Sequence, residues 1–296
     1  MINHQPVPPL VIEVRGNEFA SPADNPHVPI GAEAIIRDAL DCAAAGAAGY
    51  HWHARGADGV DRPDDIDLHR AVAHGLHGSG LFLHPTLGFT STQGDAASRL
   101  RTVLALNADP ATRADIVPAD IGAFIADRWD DEASRFTTDD KVLLNTTSYL
   151  VALLEALHRE SMRVLAVVWS PGAVRSALRL RQAGILPAPT FWQLGFTGDG
   201  NPGGPPATAA MGAAFLEQLP LEEQWTVHVR DGQCLEMAEW AITNGGHVSI
   251  GLGDDPCAEL GLPTNADLVR IVTDLAAKHG RPVATPAQAR QILHFS

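Results

Sequence analysis

The feature that most constrains this chain is an alternation of two kinds of segment. Eight short, apolar, strand-like runs are separated by longer stretches whose apolar residues recur at helical spacing. The runs fall at residues 10–14, 49–53, 81–84, 115–117, 163–168, 190–194, 226–229 and 248–252. Between them, Ile35, Ile36, Leu40 and Ala44 space one apolar face. Val174, Ala177 and Leu178 space another, and Leu268, Ile271, Val272 and Leu275 a third. Eight strands alternating with helices over 296 residues predict an α/β chain folded as one closed (β/α)8 TIM barrel, with residues 1–296 as a single domain. An open doubly wound sheet would carry a glycine-rich turn after its first strand, and Gly16-Asn17-Glu18 is not that turn. The C-terminal tail is helical, opened by Thr285 as N-cap and Pro286 at the first helical position. The Asp- and Thr-rich segment 127–147 reads as a lid or an interface.

Composition removes several classes of function. The 35 acidic and 21 basic residues give a net charge of −14, which repels a phosphate backbone, so no nucleic-acid partner is expected. No apolar run approaches the roughly 20 residues that cross a bilayer, so no membrane partner is expected. Residues 1–9 are polar and proline-rich, without a signal core, which makes a cytoplasmic location the expectation. Cys42, Cys234 and Cys257 are far apart and form no C-x-x-C pair, and they read as reduced, structural thiols. Lys141 and Lys278 are the only lysines, and both lie in polar helical surroundings. A Schiff-base lysine needs a desolvated pocket, so imine chemistry is excluded. No G-x-x-x-x-G-K-[ST] loop is present either. If this chain acts on carbonyls, its electrophile is a metal or a set of hydrogen-bond donors.

In a barrel of this kind the chemistry sits where strands run out into the following loops. Polar residues gather there: Glu13, Arg15 and Glu18; His51, His53 and Arg55; His84 and Thr86; Asp120; Gln193; His228 and Arg230; Asp254 and Asp255. Residues two apart on a strand share a face, so His51 and His53 point the same way and can hold one divalent metal. Arg55 suits either a substrate carboxylate or a structural partner such as Asp58. Asp254, followed by Asp255-Pro256, suits a base, a ligand or a turn. Arg230, one loop position further on, suits an anionic cofactor phosphate at the next helix N-terminus.

Taken together, His51-Trp52-His53-Ala54-Arg55 with Asp58-Gly59, Gly245-Gly246-His247-Val248, Ile250-Gly251-Leu252 and the run from Ala284 to Leu293 (A-T-P-x-Q-A-R-x-I-L) resemble the β-keto acid cleavage enzymes. The likeness covers nearly the whole chain in the right order. It implies a zinc-dependent TIM-barrel enzyme that condenses a β-keto acid with acetyl-CoA. The adduct is then cleaved to acetoacetate and a new acyl-CoA, with zinc polarising the carbonyl. It also implies His51 and His53 as zinc ligands, Asp254 as the base and Glu18 as its helper. Two family positions differ. The strand-eight pattern R-x-G-x-E-D stands here as Ser249-Ile250-Gly251-Leu252-Gly253-Asp254, so the arginine is Ser249 and the glutamate ligand is Gly253. The acid that the family places after strand five is absent, because 164–169 is apolar.

Catalytic zinc takes three protein ligands and a water, so a third donor is needed. His228, ending strand seven beside strand eight, is the expected one, with Asp254 and His84 as alternatives. Arg55 and Thr86 are expected to bind substrate, and Arg230 the acetyl-CoA. A small β-keto acid or related carboxylate and a homo-oligomeric state complete the expectation. Two other readings stand beside it. One is a metal-dependent hydrolase, although amidohydrolase barrels carry H-x-H on the first strand rather than the second. The other is a barrel that kept its fold, lost its chemistry and serves as a binding or partner subunit.

Overall fold

The computed structural model describes residues 7–88, 94–232 and 234–295, so most of the polar start lies outside the described residues. Eight parallel strands, each followed by a helix, form the body: β1 (Ile12–Arg15), α1 (Ala32–Ala45), β2 (Gly49–Trp52), α2 (Ile66–Leu76), β3 (Phe82–Pro85), α3 (Ala96–Asn107) and β4 (Val117–Ile125). The segment 127–147 then forms a small hairpin, β5 (Trp129–Asp130) with β6 (Arg135–Phe136), and β7 (Val142–Asn145), which pairs antiparallel with the outer half of β4. The barrel resumes with α4 (Thr147–Arg159), β8 (Val164–Val168), α5 (Pro171–Gln182), β9 (Phe191–Thr197), α6 (Ala209–Leu216), β10 (Trp225–Arg230), α7 (Leu235–Thr243), β11 (His247–Ile250) and α8 (Asn265–Lys278), and α9 (Pro286–Ile292) ends it.

The hydrogen-bonded order is β3-β2-β1-β11-β10-β9-β8-β4-β7. At the seam between β3 and β4, Asp115 N and Ile116 N donate to Leu83 O at 2.9 and 3.3 Å. The curled sheet is thereby brought edge to edge, and the TIM-barrel expectation holds. Each expected strand lies within a few residues of an observed one. The largest departure is β4, which continues to Ile125 because β7 supplies it with an antiparallel partner.

Local chemistry starts the helices where they are needed. Asp65, Asp95, Thr146, Ser170, Thr208, Thr264 and Thr285 each accept a backbone N–H from the first turn of the helix that follows. Thr285 and Gln288 close a capping box on α9, with Pro286 at its first position. That helix seals one end of the barrel. Its Ala289 and Leu293 pack with Val11, Phe82, Ile116, Leu165 and Phe191, all near the strand N-termini. The opposite end, where the strands run out, stays open and collects the polar side chains.

Candidate active site

Strand β1 turns Glu13 and Arg15 to one face, the barrel interior. Glu13 ties three strands together: His84 Nδ1 donates to its Oε1 at 2.7 Å, and Ser249 Oγ donates to its Oε2 at 2.7 Å. Burial pushes its carboxyl upward, but the charge and hydrogen bond of His84, with Arg15 and His51, outweigh this and hold it at about 2. Arg15 is buried and reaches three partners. Its Nε donates to Asp254 Oδ1 at 3.3 Å, its Nη1 to Gln193 Oε1 at 3.3 Å, and its Nη2 pairs with Glu18.

Glu18 comes from the loop after β1, and that loop is fastened on two sides. Asn17 Nδ2 donates to Pro29 O and His53 O, while its Oδ1 accepts from His53 N at 2.9 Å. Arg55, expected to bind a substrate carboxylate, instead donates to Gly59 O, Asn17 O and Ala20 O and does not line the cavity. Its guanidinium is needed to satisfy three carbonyls of crossing loops. The same loop explains Gly253. A Cβ there would lie 2.6 Å from Glu18 N and 2.9 Å from Arg15 O, so the backbone that delivers Glu18 fills the space a side chain would need.

His51 and His53 do share a face, as the spacing predicts. His51 Nδ1 lies 2.8 Å from His84 O; a carbonyl only accepts, so Nδ1 carries the proton and Nε2 presents its lone pair. His53 Nδ1 lies 3.1 Å from Asp61 Oδ2, which selects the same tautomer. Imidazoles oriented by a carbonyl or carboxylate behind them are the usual arrangement of metal-binding histidines. His51 Nε2 in turn lies 2.8 Å from Glu18 Oε1. Burial, with the charges of His84 and Arg15, lowers His51 to about 3. Burial pushes Glu18 upward, but Arg15 and His51 hold it well below the usual carboxylate range. A neutral imidazole lone pair and a carboxylate oxygen therefore face each other with no proton between them, a contact that a shared cation relieves. Ligand atoms of Glu18, His51 and His53 all lie within 4.8 Å of one another.

His228, the third donor expected from sequence, has both ring nitrogens engaged. Gln193 presents its oxygen to Arg15, which leaves its amide to donate to His228 Nδ1 at 3.3 Å. His228 Nε2 then carries the proton and donates to Asp254 Oδ1 at 2.7 Å. Burial, with the charge of Arg15, keeps this imidazole well below its ordinary value and neutral. Ligand atoms of Glu18, His228 and Asp254 also lie within 4.8 Å of one another, but His228 faces Asp254. Burial and the charge of Glu18 push the Asp254 carboxyl well up, and among the described residues its buried Oδ2 has no hydrogen-bond partner. His84, the other alternative, gives Nδ1 to Glu13 and keeps a buried Nε2 that has no hydrogen-bond partner among the described residues.

Arg15, Glu18, His51, His53, His84, Gln193 and His228 line a cleft at the strand C-termini with a cavity volume of about 50 Å³, and Asp254 sits just behind this lining. Thr86 lines it, with its Oγ1 accepting from Gly88 N at 3.0 Å. Arg230 stands at the mouth, its guanidinium 4.2 Å above the Phe19 ring, and both residues also line an adjacent groove with Arg128 and Lys141. On the far wall, Asp120 and Trp169 face the cavity, joined by a 2.9 Å bond from Trp169 Nε1 to Asp120 Oδ1. Sequence reasoning placed Arg15 and Gln193 at strand ends without assigning them a role, and it missed Asn17 and Asp61. Asn17 had a signal in its place beside Glu18; Asp61 had none, since the fold alone brings it behind His53.

Comparison with known proteins finds relatives along nearly the whole chain. The chain is 28% identical to the 3-keto-5-aminohexanoate cleavage enzyme of Acetoanaerobium sticklandii, over 92% of this chain and 93% of that protein. It is 24% identical to the 3-dehydrocarnitine:acetyl-CoA trimethylamine transferase of Rhizobium meliloti, over 91% of each chain. Among solved structures, the apo form of ObcA superposes with a TM-score of 0.70 at 15% identity. That match covers 91% of this chain and 66% of the other, so this chain spans about two thirds of that structure's length and shares its fold. The family description "beta-keto acid cleavage enzyme" matches residues 9–295. From its first strand to its last helix, the chain belongs to the β-keto acid cleavage enzyme family.

Proposed function

We propose that this protein transfers the acyl part of a β-keto acid to coenzyme A in exchange for an acetyl group, with a divalent metal, zinc by the donor set, held by Glu18, His51 and His53. The observation that carries the reading is the 2.8 Å approach of His51 Nε2 to Glu18 Oε1, two acceptors with no proton between them. Two imidazoles and a carboxylate fit zinc and leave a position open for a ligand. Glu18 would thus take the place that His228 was expected to fill. When bound, the metal supplies Lewis-acid polarisation of the keto acid's oxygens.

The chain's own residues do the rest. Asp254, held by His228 Nε2–H and Arg15 behind the cleft lining, is the acid that would take the proton from the carbon between the carboxylate and the ketone. Burial and the charge of Glu18 push its carboxyl upward, which makes the carboxylate a stronger base once it is ionised. Arg15 pairs with both Glu18 and Asp254 and so supplies the positive charge that the family's arginine, absent at Ser249, would bring to the base. In the overall exchange the C2–C3 bond of the keto acid breaks. Its acyl carbon C3 leaves on the sulfur of coenzyme A, and the C1–C2 unit leaves joined to the acetyl group as acetoacetate. Arg230, Arg128 and Lys141 beside the cleft provide cations for the phosphates of acetyl-CoA.

The test is metal-loaded protein supplied with a β-keto acid and acetyl-CoA labelled in its acetyl group. Label recovered in acetoacetate, in step with formation of the new acyl-CoA, supports the reading. Binding of the keto acid with no product from any member of a substrate panel selects the non-catalytic reading instead.

A further inference from the structure

The loops that carry Glu18 and Asp254 are joined by one side chain from a third element. Asn265, the first residue of α8, is fully buried. Its Oδ1 accepts from Leu252 N at 2.7 Å, in the loop after β11 and two residues before Asp254. Its Nδ2 donates to Gly16 O at 3.0 Å, in the loop after β1 and two residues before Glu18. The same Nδ2 donates to Asp38 Oδ2 on α1 at 2.8 Å. Asn265 does not line the cleft itself.

The amide fits in one orientation only. Leu252 N–H donates, whereas Gly16 O and the Asp38 carboxylate accept, so the NH2 faces the latter two. Burial raises the Asp38 carboxyl to about 6, which leaves it ionised at neutral pH. Asp38 is fixed in turn by Tyr50, whose Oη donates to its Oδ2 at 2.6 Å. Tyr50 passes under bare backbone to reach it: a Cβ on Gly16 would lie 2.2 Å from the Tyr50 hydroxyl. On the inner side the two loops share backbone bonds, Gly253 N to Arg15 O at 2.9 Å and Phe19 N to Gly253 O at 3.0 Å. Asn265 is the clasp on the outer side. Without its amide, Leu252 N and Gly16 O would be buried unpaired, and the loops would move to satisfy them.

We infer that Asn265 is a positioning residue for this site, setting the separation of Glu18 from Asp254, and that Asp38 sets the orientation of its amide. A displacement of 1 Å between reacting groups costs about 100-fold in rate, which gives such a clasp its leverage. The inference rests on the cleavage reading only in treating Glu18 and Asp254 as ligand and base of one reaction.

The experiment compares wild type with two variants. Zinc affinity is read by competition with a chelator, and kcat and KM by transfer of the labelled acetyl group. Asn265→Ala is expected to bind zinc about tenfold more weakly and to lose about 100-fold in kcat, with KM nearly unchanged. Asn265→Asp combined with Asp38→Asn exchanges the two groups. The pair still bonds and Leu252 N keeps its acceptor, while Gly16 O alone loses its donor. This exchange releases only the Glu18 side, so zinc affinity should fall about as far as in Asn265→Ala, with a smaller loss of kcat. Wild-type zinc affinity and kcat in folded Asn265→Ala overturn the inference. So does a loss that follows the unfolded fraction alone, which marks a merely structural residue. Should Asn265→Ala fail to fold, the exchanged pair decides, and wild-type zinc affinity there overturns the inference. Failure of the cleavage reading shows separately, as wild-type protein that yields no labelled acetoacetate while the zinc affinities still differ as expected.

Discussion

His51 and His53 on β2 differ from His228 on β10 in what stands behind each ring. The β2 pair gives Nδ1 to a carbonyl and a carboxylate at the back, so both Nε2 atoms face the cavity as lone pairs beside Glu18. His228 is used at both ends, by Gln193 and by Asp254, and works as a donor that aims an acid. Three histidines are thus divided by their neighbours into two ligand candidates and one hydrogen-bond donor. A ring's second partner decides its role, and that partner is set by tertiary structure.

Removing rings tests this division most strongly. His51→Ala should lose bound zinc and all turnover, whereas His228→Ala should keep its zinc and lose activity alone. Metal analysis of the two purified proteins reads both, and zinc lost from His228→Ala would erase the distinction. Arg15→Ala comes next, since it leaves Glu18 and Asp254 buried together without their cation. Breaking a buried pair in this way costs about 3–5 kcal/mol, so urea unfolding should show a lowered midpoint.

Glu13 stands behind His51 through His84, and its contribution is readable in acid. Its carboxyl titrates at about 2 in the folded protein against 4.5 for the ordinary group. A depressed acid stabilises the fold above pH 4.5, and that stability disappears as pH falls toward 2. The linked free energy is roughly 3 kcal/mol. Unfolding measured at pH 5 and pH 3 should show a smaller difference in Glu13→Gln than in the wild type. The smallest effect is expected at Asp61, which is partly exposed and only orients His53. Asp61→Asn should weaken zinc binding by about 10–100-fold without abolishing it. A competition titration with a chelator checks this, and an unchanged affinity would detach His53 from its carboxylate.

Much of the fold was legible in the chain because barrel strands and helices are local in origin. Apolar runs such as 163–168, caps such as Thr285-Pro286 and the absence of a glycine-rich first turn pointed to eight βα units. The extension of β4 to Ile125 was not legible, because its outer half exists only as a partner of β7. Part of the site was legible for a similar reason. His51 and His53 lie two apart on one strand, and strand periodicity alone puts them on one face.

The third donor was not, and neither were the uses of Arg55 and His228. Those depend on where loops cross: Asn17 and Arg55 draw the loop after β1 inward, and the bare backbone at Gly253 makes room for it. By itself the sequence determined a barrel with a histidine pair at its mouth, since side-chain alternation and helix signals act over a few residues. Only the tertiary structure decided that Glu18 joins that pair and that Arg15 faces it. Those relations join strands far apart in the chain, and no short-range rule carries information over that separation.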